Sequence, residues 1–211
     1  MAQVQNVNMD TSVRKEAMRT LLKQKAGGLT ELASSLLTDE MPEIRSLALT
    51  SLFSLDVPIA VKAAEAFLVK GSMEDKQQAY TLLGTQKSEE VKVILLTEMQ
   101  RIINGGGELG TLFEVLEASR GSEIPEVKAL ATTYDKSMLT AEPMVKYKSS
   151  LMGGNVARGK DTYLNNGVAQ CVRCHKIKDF GADVGPNLSF IGENKSREYL
   201  LQSIVDPGAV V

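Results

Sequence analysis

Aromatic side chains are scarce in this 211-residue sequence: they make up 5% of it, and tryptophan is absent. A core must therefore be built from Leu, Ile, Val, Ala and Met, which suits packed helices better than a sheet. Positive charge is not in excess. The net charge of −2 excludes a strongly basic nucleic-acid binder. No apolar run approaches the roughly 20 residues needed to span a bilayer, so no transmembrane segment is expected. The opening "MAQVQNVNMDTSVRKEAMRTLL" has no secretory hydrophobic region. Histidine occurs once and cysteine twice, and all three fall after residue 170. Residues 1–144 thus contain no His, no Cys and no phosphate-binding glycine loop, and no catalytic constellation can be assembled there.

What is present, 43% hydrophobic and 24% charged residues, is the composition of an ordinary globular domain. Charge divides unevenly. Residues 1–144 carry 15 Lys and Arg against 20 Asp and Glu, whereas residues 145–211 carry 9 against 6.

The sequence matches itself at an offset of 31 residues. "SVRKEAMRTLL" from Ser12, "EIRSLALTSLF" from Glu43 and "EDKQQAYTLLG" from Glu74 superimpose Ala17, Ala48 and Ala79, and likewise Leu21, Leu52 and Leu83. Met18, Leu49 and Tyr80 coincide as well, and a basic residue recurs at Arg14, Arg45 and Lys76. A second set aligns Ala33, Ala64 and Leu95, then Leu37, Leu68 and Met99. Within each segment the apolar residues fall at i, i+3, i+4 and i+7, the face of an amphipathic helix. Pro42 and Pro58 mark turns or first helical turns. Each unit reads as a helix pair, and over residues 10–104 the pattern resembles HEAT or armadillo-like repeats. The period fails after "INGGGELG"; helices are still expected at 109–119 and through "PEVKALATTYDKSM", as a degenerate last repeat or cap.

The chemistry lies in Cys171-Val172-Arg173-Cys174-His175, a C-x-x-C-H pattern. It is the spacing of covalent haem attachment: two thiols reach the two vinyl groups and the adjacent imidazole becomes the proximal iron ligand. Two other chemistries use such residues. Structural zinc wants four Cys or His ligands, and the chain has three in all. A redox dithiol sits where a strand runs into a helix, and no strand is legible upstream of Cys171.

The flanks extend the pattern. "RGKDTY" precedes the motif, on a short helix that carries Gly159 and Tyr163, and "VGPNLSFIG" follows it. Here the sequence resembles the class I cytochrome c domain. More narrowly, it resembles the haem-binding type that ends large planctomycete and verrucomicrobial dehydrogenase-like proteins, where HEAT-like helices come before the cytochrome. The resemblance covers about residues 153–211; Asn187 stands where that family more often has Asp. It implies covalent haem c on Cys171 and Cys174, with His175 as the iron ligand. The Pro186 carbonyl would accept the imidazole N–H, and Leu188 and Ile191, with Phe180, would wall the haem. "KSREYLLQSIVDP" reads as a helix capped by Ser196, with Leu200, Leu201, Ile204 and Val205 on its apolar face and Pro207 at its end.

The expected fold is all-α: HEAT/armadillo-like repeats over 1–144, then a C-terminally incomplete cytochrome c domain over 145–211. No methionine follows His175; the last is Met152. The expectation is therefore a piece of a longer, exported polypeptide that supplies the distal ligand, a last helix and a signal peptide, the alternative being five-coordinate iron or Met152 as ligand. The expected function is electron transfer rather than catalysis, in the periplasm or otherwise outside the cytoplasm. The partner would be a redox protein or a dehydrogenase domain, with no nucleic acid involved. Arg173, Lys176 and Lys178 could steer an acidic partner or simply form a solvated rim. The rival reading is a helical-repeat interaction scaffold whose haem site is vestigial.

Overall fold

The computed structural model describes residues 1–210. Almost all of its regular structure is helical, and it forms two compact units, Met1–Tyr134 and the residues from Asp135 onward. The boundary expected from sequence is 144/145; the two units divide between Tyr134 and Asp135, in the last turn of the helix Pro125–Ser137.

In the first unit, after the short α1 (Ala2–Gln5), helices follow one another along the chain: α2 (Thr11–Lys23), α3 (Leu29–Leu36), α4 (Pro42–Leu55), α5 (Val57–Lys70), α6 (Met73–Leu83), α7 (Glu89–Ile103), α8 (Leu112–Gly121) and α9 (Pro125–Ser137). The starts of α2, α4 and α6 keep the 31-residue spacing. Local chemistry fixes the starts. Pro42 and Pro58 fall in the first turns of α4 and α5, where a missing N–H costs nothing. Asp56 accepts from the Ile59 N–H at 3.1 Å. Ser72 and Asp75 form a reciprocal capping box at α6.

The sequence period is also a period of burial. Ala48, Ala79, Leu52, Leu83, Met18 and Leu49 are fully buried, as are Ala33, Ala64, Leu95 and Met99. Ala17, Leu21, Leu37 and Leu68 pack against them, half-buried. Small side chains let helices close up. A Cβ on Gly84 would lie 2.6 Å from the Ala118 Cβ, so α6 and α8 meet without room for a methyl group.

Each of the recurring basic residues pairs with an acidic residue farther along the chain. Arg14 pairs with Asp39 and donates to the Val4 carbonyl at 2.8 Å. Arg45 contacts Asp75 at 2.9 Å and donates to the Asp39 carbonyl at 2.8 Å. Lys76 reaches Glu108 at 3.0 Å. Burial alone would raise the Asp39 carboxyl, but hydrogen bonds from Arg14 and the Met41 amide, with the charges of Arg14 and Arg45, outweigh it and hold the group below its ordinary range. Asp75 behaves alike: burial opposes ionisation, and Arg45 with Ser72 reverses the balance.

The second unit contains α10 (Pro143–Lys146), α11 (Val156–Asn165), α12 (Ile191–Asn194) and α13 (Arg197–Val205), with 3-10 turns at Lys148–Leu151, Cys171–Arg173 and Pro207–Val210. Its hairpin, β1 (Lys176–Ile177) antiparallel to β2 (Phe180–Gly181), is an addition to the all-α expectation. Ser196 caps α13 through the Tyr199 N–H at 3.2 Å, and the helix stops two residues before Pro207. Leu200, Leu201 and Val205 are half-buried. Ile204, expected on the same face, is 79% exposed, because no described element covers that side of the last turn. α13 packs against α10 and the Lys148–Leu151 turn, where Arg197 donates to the Leu151 carbonyl at 2.8 Å. No helix among the described residues is long and apolar enough to cross a membrane.

Candidate functional site

Cys171 opens a single 3-10 turn that begins after Gln170, a residue with φ of 49°. The turn closes when the Cys174 and His175 amides both donate to the Cys171 carbonyl, at 3.2 and 2.9 Å. Two thiols and an imidazole thus leave one short stretch of backbone. Both thiols are free, Cys174 exposed and Cys171 half-buried.

The imidazole is oriented from outside the turn. His175 Nδ1 lies 2.9 Å from the Pro186 carbonyl. A carbonyl only accepts, so Nδ1 carries a proton, and in the neutral imidazole the lone pair is then on Nε2. Residues 182–188 run alongside to place that carbonyl. Ala182 N–H donates to Val172 O at 3.0 Å, Val184 and Gly185 N–H to Cys174 O at 3.1 and 2.6 Å, and Leu188 N–H to Lys176 O at 2.8 Å.

Two glycines make the close approach possible. A Cβ on Gly185 would sit 2.8 Å from His175 Cε1 and 3.0 Å from Nδ1. One on Gly181, whose φ is 105°, would lie 2.0 Å from the His175 carbonyl oxygen. On the other side α11 supplies Tyr163, whose hydroxyl donates to that same oxygen at 2.5 Å. Loss of hydration pushes the Tyr163 hydroxyl above the ordinary phenol range, and the charge of Cys171 adds to the shift.

The hairpin turn is held by a small polar chain. Lys178, at φ 52°, donates its N–H to Ser189 Oγ at 2.7 Å, and Ser189 Oγ–H donates to Asn187 Oδ1 at 2.6 Å. Lys176 pairs with Asp183 at 3.1 Å, while Arg173 bonds Gln170 Oε1 at 2.6 Å.

Of the residues singled out from sequence, Cys171, Cys174, His175 and Pro186 meet in one hydrogen-bonded network. Leu188 joins it through Lys176. Ile191 begins α12, half-buried, and is linked through its N–H to the Leu188 carbonyl at 3.2 Å. Phe180, Val184 and Phe190 are exposed apolar side chains on the same stretch. Gly181, Gly185, Asn187 and Ser189 were not assigned these roles. The glycines had a signal, their recurrence at four-residue spacing beside "PNL", but the hydroxyl of Tyr163 reaches a backbone atom 12 residues away, which no local pattern encodes.

Among the described residues no three His, Cys, Asp or Glu side chains gather as a metal-binding group. No strand precedes Cys171 either. In the first unit a groove of about 510 Å³ is lined by residues of α5–α7 and the following loop, among them Tyr80, Val93, Arg101 and Glu108. Its cations are already matched, Lys76 by Glu108 at 3.0 Å and Arg101 by Glu98 at 2.7 Å.

No protein-family model, no curated protein and no solved structure matches this chain.

Proposed function

We propose that this chain is an electron-transfer module that carries one covalently attached c-type haem. The observation that carries the reading is the 2.9 Å contact between His175 Nδ1 and the Pro186 carbonyl, made while Cys171 and Cys174 leave the same turn. Such an outer bond fixes the tautomer, orients the ring and raises the basicity of Nε2.

The residues fit the group on three counts. Both thiols are free and two residues apart, as attachment to two vinyl groups requires. Gly185 leaves the space in which the imidazole lies; a methyl there would collide with it. Apolar side chains that a planar macrocycle would cover, Phe180, Val184 and Phe190, flank the motif at 59%, 79% and 65% exposure. When bound, the haem iron supplies a one-electron ferrous/ferric couple whose potential responds to ligand identity and burial.

The protein's own part is to hold and shield. Cys171 and Cys174 tether the haem, His175 presents Nε2, and Pro186 holds the Nδ1 proton. Leu188 and Ile191 exclude water on that side. Arg173 and Lys178 are exposed and suit an acidic redox partner or dehydrogenase domain. In this reading residues 135 onward are a cytochrome c-like domain, the helix pairs are HEAT-like repeats, and the protein works in the periplasm, where haem c is attached.

The test is spectroelectrochemistry of the full chain produced with a cytochrome c maturation system. A reversible one-electron wave, altered in His175→Ala, is expected. A chain that holds haem yet shows no reversible wave refutes electron transfer.

A second reading, an interaction scaffold with an unloaded haem site, draws on the groove beside Tyr80 and Arg101. The same production separates the two, because a scaffold stays colourless.

A further inference from the structure

We propose that Tyr163 is a positioning residue for His175: its hydroxyl anchors the carbonyl of the ligand residue and so sets where the imidazole is presented. The inference rests on His175 being an iron ligand.

The direction of an imidazole is set at two ends. At the ring end, Nδ1 is held by Pro186 at 2.9 Å. That bond alone leaves the ring free to pivot about the acceptor if the backbone at 175 shifts. The backbone end needs its own fixing. The His175 N–H is held by the Cys171 carbonyl at 2.9 Å, and the His175 C=O by the Tyr163 hydroxyl at 2.5 Å. With both peptide groups tied, the Cα–Cβ vector is set and Nε2 has one position.

The hydroxyl bond is also the one that reaches outside the motif. Tyr163 lies near the end of α11, a ten-residue helix with its own cap, Asn155 Oδ1 accepting from Arg158 N–H at 2.9 Å. β2 closes the other side, because a Cβ on Gly181 would fall 2.0 Å from the His175 oxygen and 3.1 Å from the Tyr163 hydroxyl. Helix, motif and hairpin therefore converge on one carbonyl oxygen. Phenylalanine in place of Tyr163 keeps the ring and removes only the donor.

The test compares wild type, Tyr163→Phe and, as control, Tyr199→Phe in α13, whose ring lies under the Lys195 ammonium. Amide hydrogen exchange is read residue by residue on the haem-free full chain, and the midpoint potential on the haem-loaded one. Expected for Tyr163→Phe is exchange about five- to tenfold faster over residues 174–177, the loss of one hydrogen bond. Exchange in α13 is unchanged, and the potential moves away from the shared value of wild type and Tyr199→Phe. Unchanged exchange at 174–177, or equal acceleration throughout residues 135–210, overturns the proposal, as does an unmoved potential.

Should Tyr163→Phe fail to fold, proton NMR of the wild-type chain decides instead. A resolved, slowly exchanging Tyr163 hydroxyl proton with cross-relaxation to His175 upholds the proposal, and its absence overturns it. A wild-type chain that takes up no haem defeats the electron-transfer reading and with it the ligand role of His175, while the exchange arm reports separately whether Tyr163 holds the backbone of His175.

Discussion

Leu52 and Leu188 show how differently the two units are built. Leu52, at a repeat position of α4, is fully buried in a cluster of apolar side chains that runs from Val4 to Ala131. Leu188, beside the C-x-x-C-H motif, is half-buried, and among the described residues from Asp135 onward no hydrophobic side chain is buried at all. The first unit is organised by apolar packing repeated every 31 residues. The second is organised by backbone hydrogen bonds that converge on a single turn. A repeat unit serves stability anywhere along its length. A motif held by carbonyls, amides and two glycines serves one spot, and it leaves Phe180, Val184 and Phe190 in place for an apolar ligand to cover.

The contrast can be broken hardest at Asp39. Its removal in Asp39→Ala strands Arg14, whose side chain is 1% exposed, and a buried unpaired charge costs about 3–5 kcal/mol. Thermal unfolding of the first unit should drop by on the order of 10 °C, measured by circular dichroism. Equal truncations sharpen the comparison next. Leu52→Ala should cost about 2–5 kcal/mol, whereas Leu188→Ala should cost about 1 kcal/mol or less, both read from urea denaturation.

In the second unit the sensitive positions are glycines instead. Gly181→Ala forces a methyl against the His175 carbonyl at a backbone angle unfavourable to any side chain, a strain of roughly 1–3 kcal/mol. It should lower covalent haem yield on a stained gel while the melting of the first unit stays the same.

Acid should separate the units last. Asp39 and Asp75 ionise more readily in the fold than in the unfolded chain. Their stabilisation is therefore fully present above the unfolded value of about 4 and is lost as pH falls below it through the folded values. A melting series should be level near neutrality and decline below about pH 4, less steeply in Asp39→Asn, which starts lower.

Each unit was legible in sequence to the extent that its interactions are periodic or local. Ala48, Ala79, Leu52 and Leu83 recur at 31 residues and are all fully buried, so the helices and their core could be read directly. The acidic partners could not. Asp39, Asp75 and Glu108 lie 25, 30 and 32 residues beyond Arg14, Arg45 and Lys76, because they sit at or near helix junctions of unequal length. At the site, Cys171, Cys174 and His175 announce themselves by spacing, and Pro186 is named only through the resemblance that "GPNL" carries. The hairpin leaves no sequence signal, because two residues per strand are too few to show alternation. Tyr163 escaped for the opposite reason, its partner being a backbone atom in another element.

The most direct test of the account is a pyridine haemochrome spectrum, with intact mass, on the full chain produced alongside cytochrome c maturation machinery and compared with the Cys171→Ala, Cys174→Ala double variant. The expected result is one c-type haem per wild-type chain and none on the variant. No covalent haem on the wild-type chain, in cells that mature a control cytochrome c normally, would contradict it.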